Sequence, residues 1–266
     1  MFDEYKDLPK QSKYLIYSII LPSLALGMFY TDVSYFLTTV QGVSYELMGI
    51  VITVMGVSTF VTSIPLGIAA DKYGRRKLLI TGNVTASAIV AIFALTTNPA
   101  VLLLAAAFEG VSEGAFAASA SALIAEKAGD ERRTSVFSLF GFAQSMAYGI
   151  GSVIIPVIVI FEIFGFSTKE SHVLLYVILA ILSLASTLII LKIHESKGLR
   201  KEASFGIRSL FNMKSRDILV KYVFASAIIA FGAGIIVPLM TAWMKAQYGI
   251  SDAISGPILG AANIII

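Results

Sequence analysis

The chain has 266 residues, 57% hydrophobic and 14% charged, with a mean hydropathy of +0.84. Soluble domains carry about 25% charged residues, so a soluble globular fold is excluded. The pI near 9.0 would suggest nucleic acid in a soluble protein. Here the basic residues lie between long apolar runs and read as topology signals, so no nucleic-acid partner is expected. There is no cysteine, which excludes disulfides and thiolate metal sites.

An apolar run of about 20 residues is long enough to cross the hydrocarbon core as a helix. Lipid offers the backbone no hydrogen bonds, so such runs are helical. The alternating ten-residue segments of a membrane barrel are absent. In chain order the runs predict seven full spans and a partial eighth, at 14–38, 45–70, 78–97, 100–125, 135–161, 172–191, 222–247 and 253–266. The first run is too long for a signal-peptide core, and no small-residue cleavage site follows it, so it reads as the first span. Pro22, Pro65, Pro156, Pro238 and Pro257 fall inside spans, where neighbouring helices satisfy the freed carbonyls.

Lysine and arginine set the expected orientation. Lys6, Lys10 and Lys13 precede span 1. Lys72, Arg75, Arg76 and Lys77 follow span 2, and Lys127, Arg132 and Arg133 follow span 4. The segment 193–221, with Lys192 before it, carries eight more, and only Lys169 and Lys245 lie on the other side. This division predicts a cytoplasmic N-terminus and a multi-pass protein of the cell (plasma) membrane.

The segment 193–221 divides the chain into 1–192, a six-helix unit, and 222–266, the start of a second unit. Within the segment, Ser204 stands ahead of Ile207, Leu210 and Phe211 on one face, opposed by Arg208 and Lys214. That pattern fits a helix lying in the membrane interface, and it fits an ordinary basic linker equally well. An offset of 207 maps Gly27 onto Gly234, Gly42 onto Gly249, Ser44 onto Ser251 and Gly49 onto Gly256. Span 7 thus reads as a second copy of span 1, an arrangement that fits parallel-repeat transporters.

Between spans 2 and 3 the chain reads Gly67-Ile-Ala-Ala-Asp71-Lys-Tyr-Gly74-Arg75-Arg76-Lys77. This resembles the loop motif G-x-x-x-D-x-x-G-R-R/K of the major facilitator superfamily (MFS), at the place that family carries it. Ala122-Leu-Ile-Ala-Glu126, followed by Glu131-Arg132-Arg133, resembles that family's span 4–5 junction. The resemblance covers essentially the whole chain. It implies an all-α membrane protein with an MFS-type helical bundle, working by alternating access.

The resemblance implies further that Asp71 meets a helix N-terminus in the second half, where the dipole favours an anion. Arg75 would pair with Asp71 and Glu126, and these contacts would form a cytoplasmic gate. Gly67, lacking a side chain, is expected to admit close approach of another helix. Two departures stand out. The arginine that the family often carries in span 4 is missing, with Ala106 and Ala107 at the corresponding place. In span 5 Gly149, Gly151 and Pro156 remain, but the family's Gly-Pro pair is absent. Drug/proton antiport is therefore not carried over.

The ionisable residues well inside spans are Asp32, Glu109 and Glu113, and none has an evident basic partner there. A charge at the bilayer centre costs about 2.5–3.5 kcal/mol even on lenient scales. Such carboxylates either carry a proton or face a water-filled cavity. Glu109 and Glu113 are four apart and share one helix face, so their titrations couple. With Asp32 they are the candidate proton or substrate site. Gly110, Gly114, Ala118 and Ser121 form an adjoining small-residue stripe that reads as packing.

Tyr35, Asn83, Gln144, Tyr148 and Trp243 are candidate cavity-lining residues. His172 and His194 lie at span ends without evident metal-ligand company, so no metal and no cofactor is expected. No nucleophile elbow, phosphate loop or metal spacing supports an enzyme.

The expected function is secondary active transport of a small organic solute, coupled to protons. The chain stops at Ile266 within an apolar run. The alternative is therefore a truncated, non-transporting remnant or a membrane-embedded binding or sensor subunit. In that reading it pairs with other helices, whereas completing a transport cycle would require a homo-oligomer or a missing C-terminal half.

Overall fold

The computed structural model describes residues 8–194 and 236–265, with Lys221, Phe224, Ala233 and Gly234 between them. All regular structure among the described residues is helical. Among these described residues, six helices are long and apolar enough to cross a membrane: α1 Lys10–Val40, α2 Tyr45–Tyr73, α3 Arg75–Leu95, α4 Pro99–Gly129, α5 Glu131–Ile163 and α6 Thr168–Ile190. They match the first six expected spans. Two shorter helices follow, α7 Met240–Tyr248, entered through the tight turn Val237–Leu239, and α8 Asp252–Ile265. The readings made for 193–221, and the first part of the seventh span, fall largely on 195–220 and 222–232, outside the described residues.

Local chemistry sets the helix ends. Ser44 caps α2 by accepting a hydrogen bond from the Leu47 N–H at 3.2 Å. Asn98 caps α4, with its side-chain oxygen 2.9 Å from the Ala100 nitrogen and Pro99 at the first helical position. Ser167 and Glu170 form a capping box at the start of α6. Pro156 interrupts α5 near its far end, because it has no N–H to continue the ladder.

The bundle has two buried cores. One holds Leu15, Ile19, Leu79, Leu123, Ile124, Val136 and Ile190, near the loops that carry the basic residues. The other, toward the opposite end, is built on Phe29, Phe36, Phe93 and Tyr176. Their rings meet edge-on or tilted at centroid distances of 4.9–5.8 Å, the geometry that aromatic quadrupoles favour.

Close backbone approach joins the helices. A side chain at Gly27 of α1 would collide with the Tyr148 carbonyl of α5. One at Gly110 of α4 would collide with the Met55 carbonyl of α2. The stripe read as packing thus packs, with Gly110 and Gly114 seated on α2. Gly67 differs from expectation: a Cβ there would stand 4.0 Å from the Ala118 Cβ, an ordinary contact. α8 lies against α5, where Gly260 and Gly149 pass each other too closely for side chains.

Candidate functional site

Three groups of polar residues stand out in the bundle. The first lies at its basic end. Gly74 joins α2 to α3 with φ 115° and ψ 125°, a conformation that L side chains rarely adopt. Its N–H donates to the Ala70 carbonyl, closing α2, and its carbonyl accepts from the Leu78 N–H, opening α3. This turn sets Arg75 against Asp71. The guanidinium donates from two nitrogens to Asp71 Oδ1, at 2.9 and 2.7 Å. It also donates to the Ala122 carbonyl at 3.1 Å and to Glu126 Oε2 at 3.3 Å. Lys127 Nζ lies 2.6 Å from Glu126 Oε1. Arg76 donates to the Leu191 carbonyl at the end of α6, at 2.6 Å. Lys77 is exposed. The motif residues therefore tie α2, α3, α4 and the end of α6 together.

The second group is the pair on α4. Glu109 is buried, at 1% exposure, and its Oε2 has no hydrogen-bond partner among the described residues. Glu113, one turn on, is exposed. It accepts from the Tyr30 hydroxyl at 3.2 Å and the Thr59 hydroxyl at 3.4 Å. Both glutamates line a cavity of about 40 Å³ between α1, α3, α4 and α6, with Pro22, Asn83, Ser112 and Ser183 in its wall. That volume holds a few water molecules. Asn83 also ties α3 to α6, donating to the Ser183 carbonyl and the Thr187 hydroxyl, each at 2.8 Å.

The third group corrects the sequence reading. Asp32 does not line the Glu109 cavity. It meets His172, whose Nε2 lies 3.6 Å from Asp32 Oδ1 and 3.2 Å from Asp252 Oδ2. All three residues are buried, and their ligand atoms lie within 4.8 Å of one another. His172 Nδ1 donates to the Thr168 carbonyl at 2.7 Å. Phe36 stacks on the imidazole at 5.2 Å and 8°, with Tyr35 near-parallel at 6.1 Å. His172 thus has metal-ligand company, and Asp32 has a basic partner inside the bundle, both against expectation. The three residues come from α1, α6 and α8. The nearest sequence signal was the expected 207-residue repeat, in which span 7 reads as a second copy of span 1.

The remaining candidates are dispersed. Tyr35 belongs to the histidine cluster. Tyr148 and Gln144 are half-buried on α5, outside the Glu109 cavity. Trp243 is exposed and meets Tyr248 edge-on at 5.4 Å. Around these groups the first six helices bind α7: Ser34 and Thr241 hydroxyls lie 2.9 Å apart, and Thr241 donates to the Thr31 carbonyl at 2.7 Å.

Known proteins share this architecture. The chain is 31% identical over 118 residues to the inner membrane transport protein YajR of Escherichia coli K12, covering 44% of this chain and 26% of that protein. It is 25% identical over 219 residues to the uncharacterized MFS-type transporter YqjV of Bacillus subtilis 168, covering 81% of this chain and 52% of that protein. The chain thus spans about half the length of YqjV, and a smaller share of YajR.

Two solved structures show the same fold. A bacterial homolog of the human lysosomal transporter Spinster, inward-facing and unoccupied, superposes with a TM-score of 0.74 at 14% identity, over 96% of this chain and 59% of that one. The nucleoside transporter NupG gives a TM-score of 0.65 at 16% identity, over 96% and 63%. The family model described as Major Facilitator Superfamily matches residues 14–266. With its helical membrane bundle and the complete Gly67–Lys77 loop motif, the chain belongs to the major facilitator superfamily.

Proposed function

We propose that this protein is a secondary active transporter of a small organic solute, working by alternating access and coupled to protons through Glu109 and Glu113. The observation that carries this reading is the buried Glu109, with an unpartnered oxygen in a water-sized cavity, one turn from an exposed Glu113. An ionised carboxylate in that place costs several kcal/mol. Taking up a proton removes that cost, and the cavity gives water a route between the two carboxylates. Glu113, held by Tyr30 and Thr59, faces the side on which a solute would bind.

Alternating access needs two ends that open in turn. The Asp71–Arg75–Glu126 contacts suit a gate at the basic end, which the charge distribution assigns to the cytoplasm of a plasma-membrane protein. The Ser34–Thr241 and His172–Asp252 contacts suit closure at the opposite end. The cycle is proposed for the full-length bundle, since the chain spans about half of YqjV. The solute class stays at small organic molecules; the nucleoside neighbour makes nucleosides a sensible first panel.

The test is uptake into proteoliposomes under an imposed pH gradient. Saturable uptake that follows the gradient in the wild type, and no longer does in Glu109→Gln or Glu113→Gln, bears the reading out. Identical uptake and pH profile in all three proteins would sink it.

A further inference from the structure

We infer that Asp32, His172 and Asp252 form a binding site for one divalent first-row transition-metal ion of the zinc class. This rests on the geometry of the three side chains and is independent of the transport reading.

The first argument is the histidine tautomer. A carbonyl only accepts, so the 2.7 Å contact to Thr168 fixes the proton of a neutral imidazole on Nδ1. The Nε2 lone pair then points at two carboxylate oxygens. With Nε2 unprotonated, three electron-rich atoms face one another in a buried pocket, an arrangement that a bound cation stabilises. A backbone carbonyl on the second ring nitrogen is also the usual way that a metal-binding histidine is oriented.

The second argument is distance. Charge-assisted N–H to carboxylate hydrogen bonds run at about 2.7–2.9 Å, and the two contacts here are longer, at 3.2 and 3.6 Å. Ligands about 2.0–2.2 Å from a tetrahedral ion stand about 3.3–3.6 Å from one another. The 3.6 Å spacing matches an edge of such a tetrahedron, and the 3.2 Å spacing lies just below one, at the long end of an ordinary N–H···O hydrogen bond.

The third argument is charge. Asp32 is fully buried, and neither of its oxygens has a hydrogen-bond partner among the described residues. With both aspartates ionised, a proton on Nε2 leaves the cluster with net charge −1 away from water, whereas a divalent ion makes it neutral. Burial of an uncompensated charge is the costly case. One imidazole with two carboxylates suits zinc, and also manganese or iron(II). Because Asp252 opens α8 while Asp32 and His172 sit on α1 and α6, the ion would clamp α8 to the first six helices at the end away from the basic loops.

The test uses the untagged full chain, stripped with a chelator and held in nanodiscs. Zinc is titrated by calorimetry, and X-ray absorption is recorded on the zinc-loaded protein in a His194→Gln background. The chain has two histidines, so His172 is then the single imidazole. Expected are one equivalent of zinc and one imidazole among its ligands. Loss of a second-shell partner costs about 10–100-fold in affinity, so Asp252→Asn and His172→Gln should lose more. If the wild-type chain takes up no stoichiometric zinc, or its bound zinc has only oxygen ligands, the site is a proton-bound imidazolium and the inference fails. The absorption measurement keeps all three proposed ligands in place, so misfolding of a ligand variant does not affect it.

Discussion

The Ser34 and Thr241 hydroxyls lie 2.9 Å apart across the contact of α1 with α7. Their numbers differ by 207, the offset that maps Gly27 onto Gly234 and Gly42 onto Gly249. The backbone repeats as well: Gly42 and Gly249 follow their helices with φ of 74° and 70°, the left-handed conformation that ends many helices.

This contact can be locked covalently. The chain has no cysteine, so Ser34→Cys with Thr241→Cys introduces the only thiols. The oxidised pair is expected to become inaccessible to maleimide in most molecules, and reductant should restore labelling. Full labelling of both thiols after oxidation would show that the two positions do not meet.

Helix packing supplies a second expectation, on stability. An added methyl at Gly27 meets the Tyr148 carbonyl, which cannot move without displacing α5. Overpacking of this kind costs about 1–3 kcal/mol. Gly27→Ala should therefore lower the thermal unfolding midpoint in detergent, while Gly67→Ala, with only an ordinary contact to Ala118, should leave it nearly unchanged. Equal shifts in the two variants would argue against the close α1–α5 approach.

Arg75 gives a third. It donates to Asp71, Glu126 and the Ala122 carbonyl, but its side chain is 20% exposed and that of Asp71 35%. Solvent screening reduces what such a pair contributes. A double-mutant cycle of Arg75→Ala with Asp71→Asn is expected to give a coupling of about 0.5–1 kcal/mol. Arg75→Lys should recover only part of it, because an ammonium lacks the planar fork. Additive effects would mean that the pair does not act as a unit.

Much of the fold was legible because a bilayer imposes strong rules. Long apolar runs gave the six long helices, and the asymmetric basic residues located the Gly67–Lys77 loop. The contact partners of Arg75 followed from the family resemblance. The turn chemistry of Ser44, Asn98 and Gly74 lies in local sequence. The histidine cluster does not, because Asp32, His172 and Asp252 sit on three helices and meet only through tertiary packing. Asp252 also falls just outside the eighth expected span, where hydropathy says nothing of its burial. Gly67 invites a close approach by its residue type alone and makes only an ordinary contact; the tight approach of Gly110 was legible in the small-residue stripe of α4, whereas that of Gly27 was not.

The central claim is that Glu109 and Glu113 couple solute movement to protons. Its most direct test is solute-induced proton influx in proteoliposomes loaded with a pH-sensitive dye, screened over nucleosides and other small organic solutes. At least one solute is expected to acidify the lumen in a saturable way, with the signal abolished in Glu109→Gln and Glu113→Gln. Saturable solute uptake that moves no protons, and that both variants retain, would contradict the account.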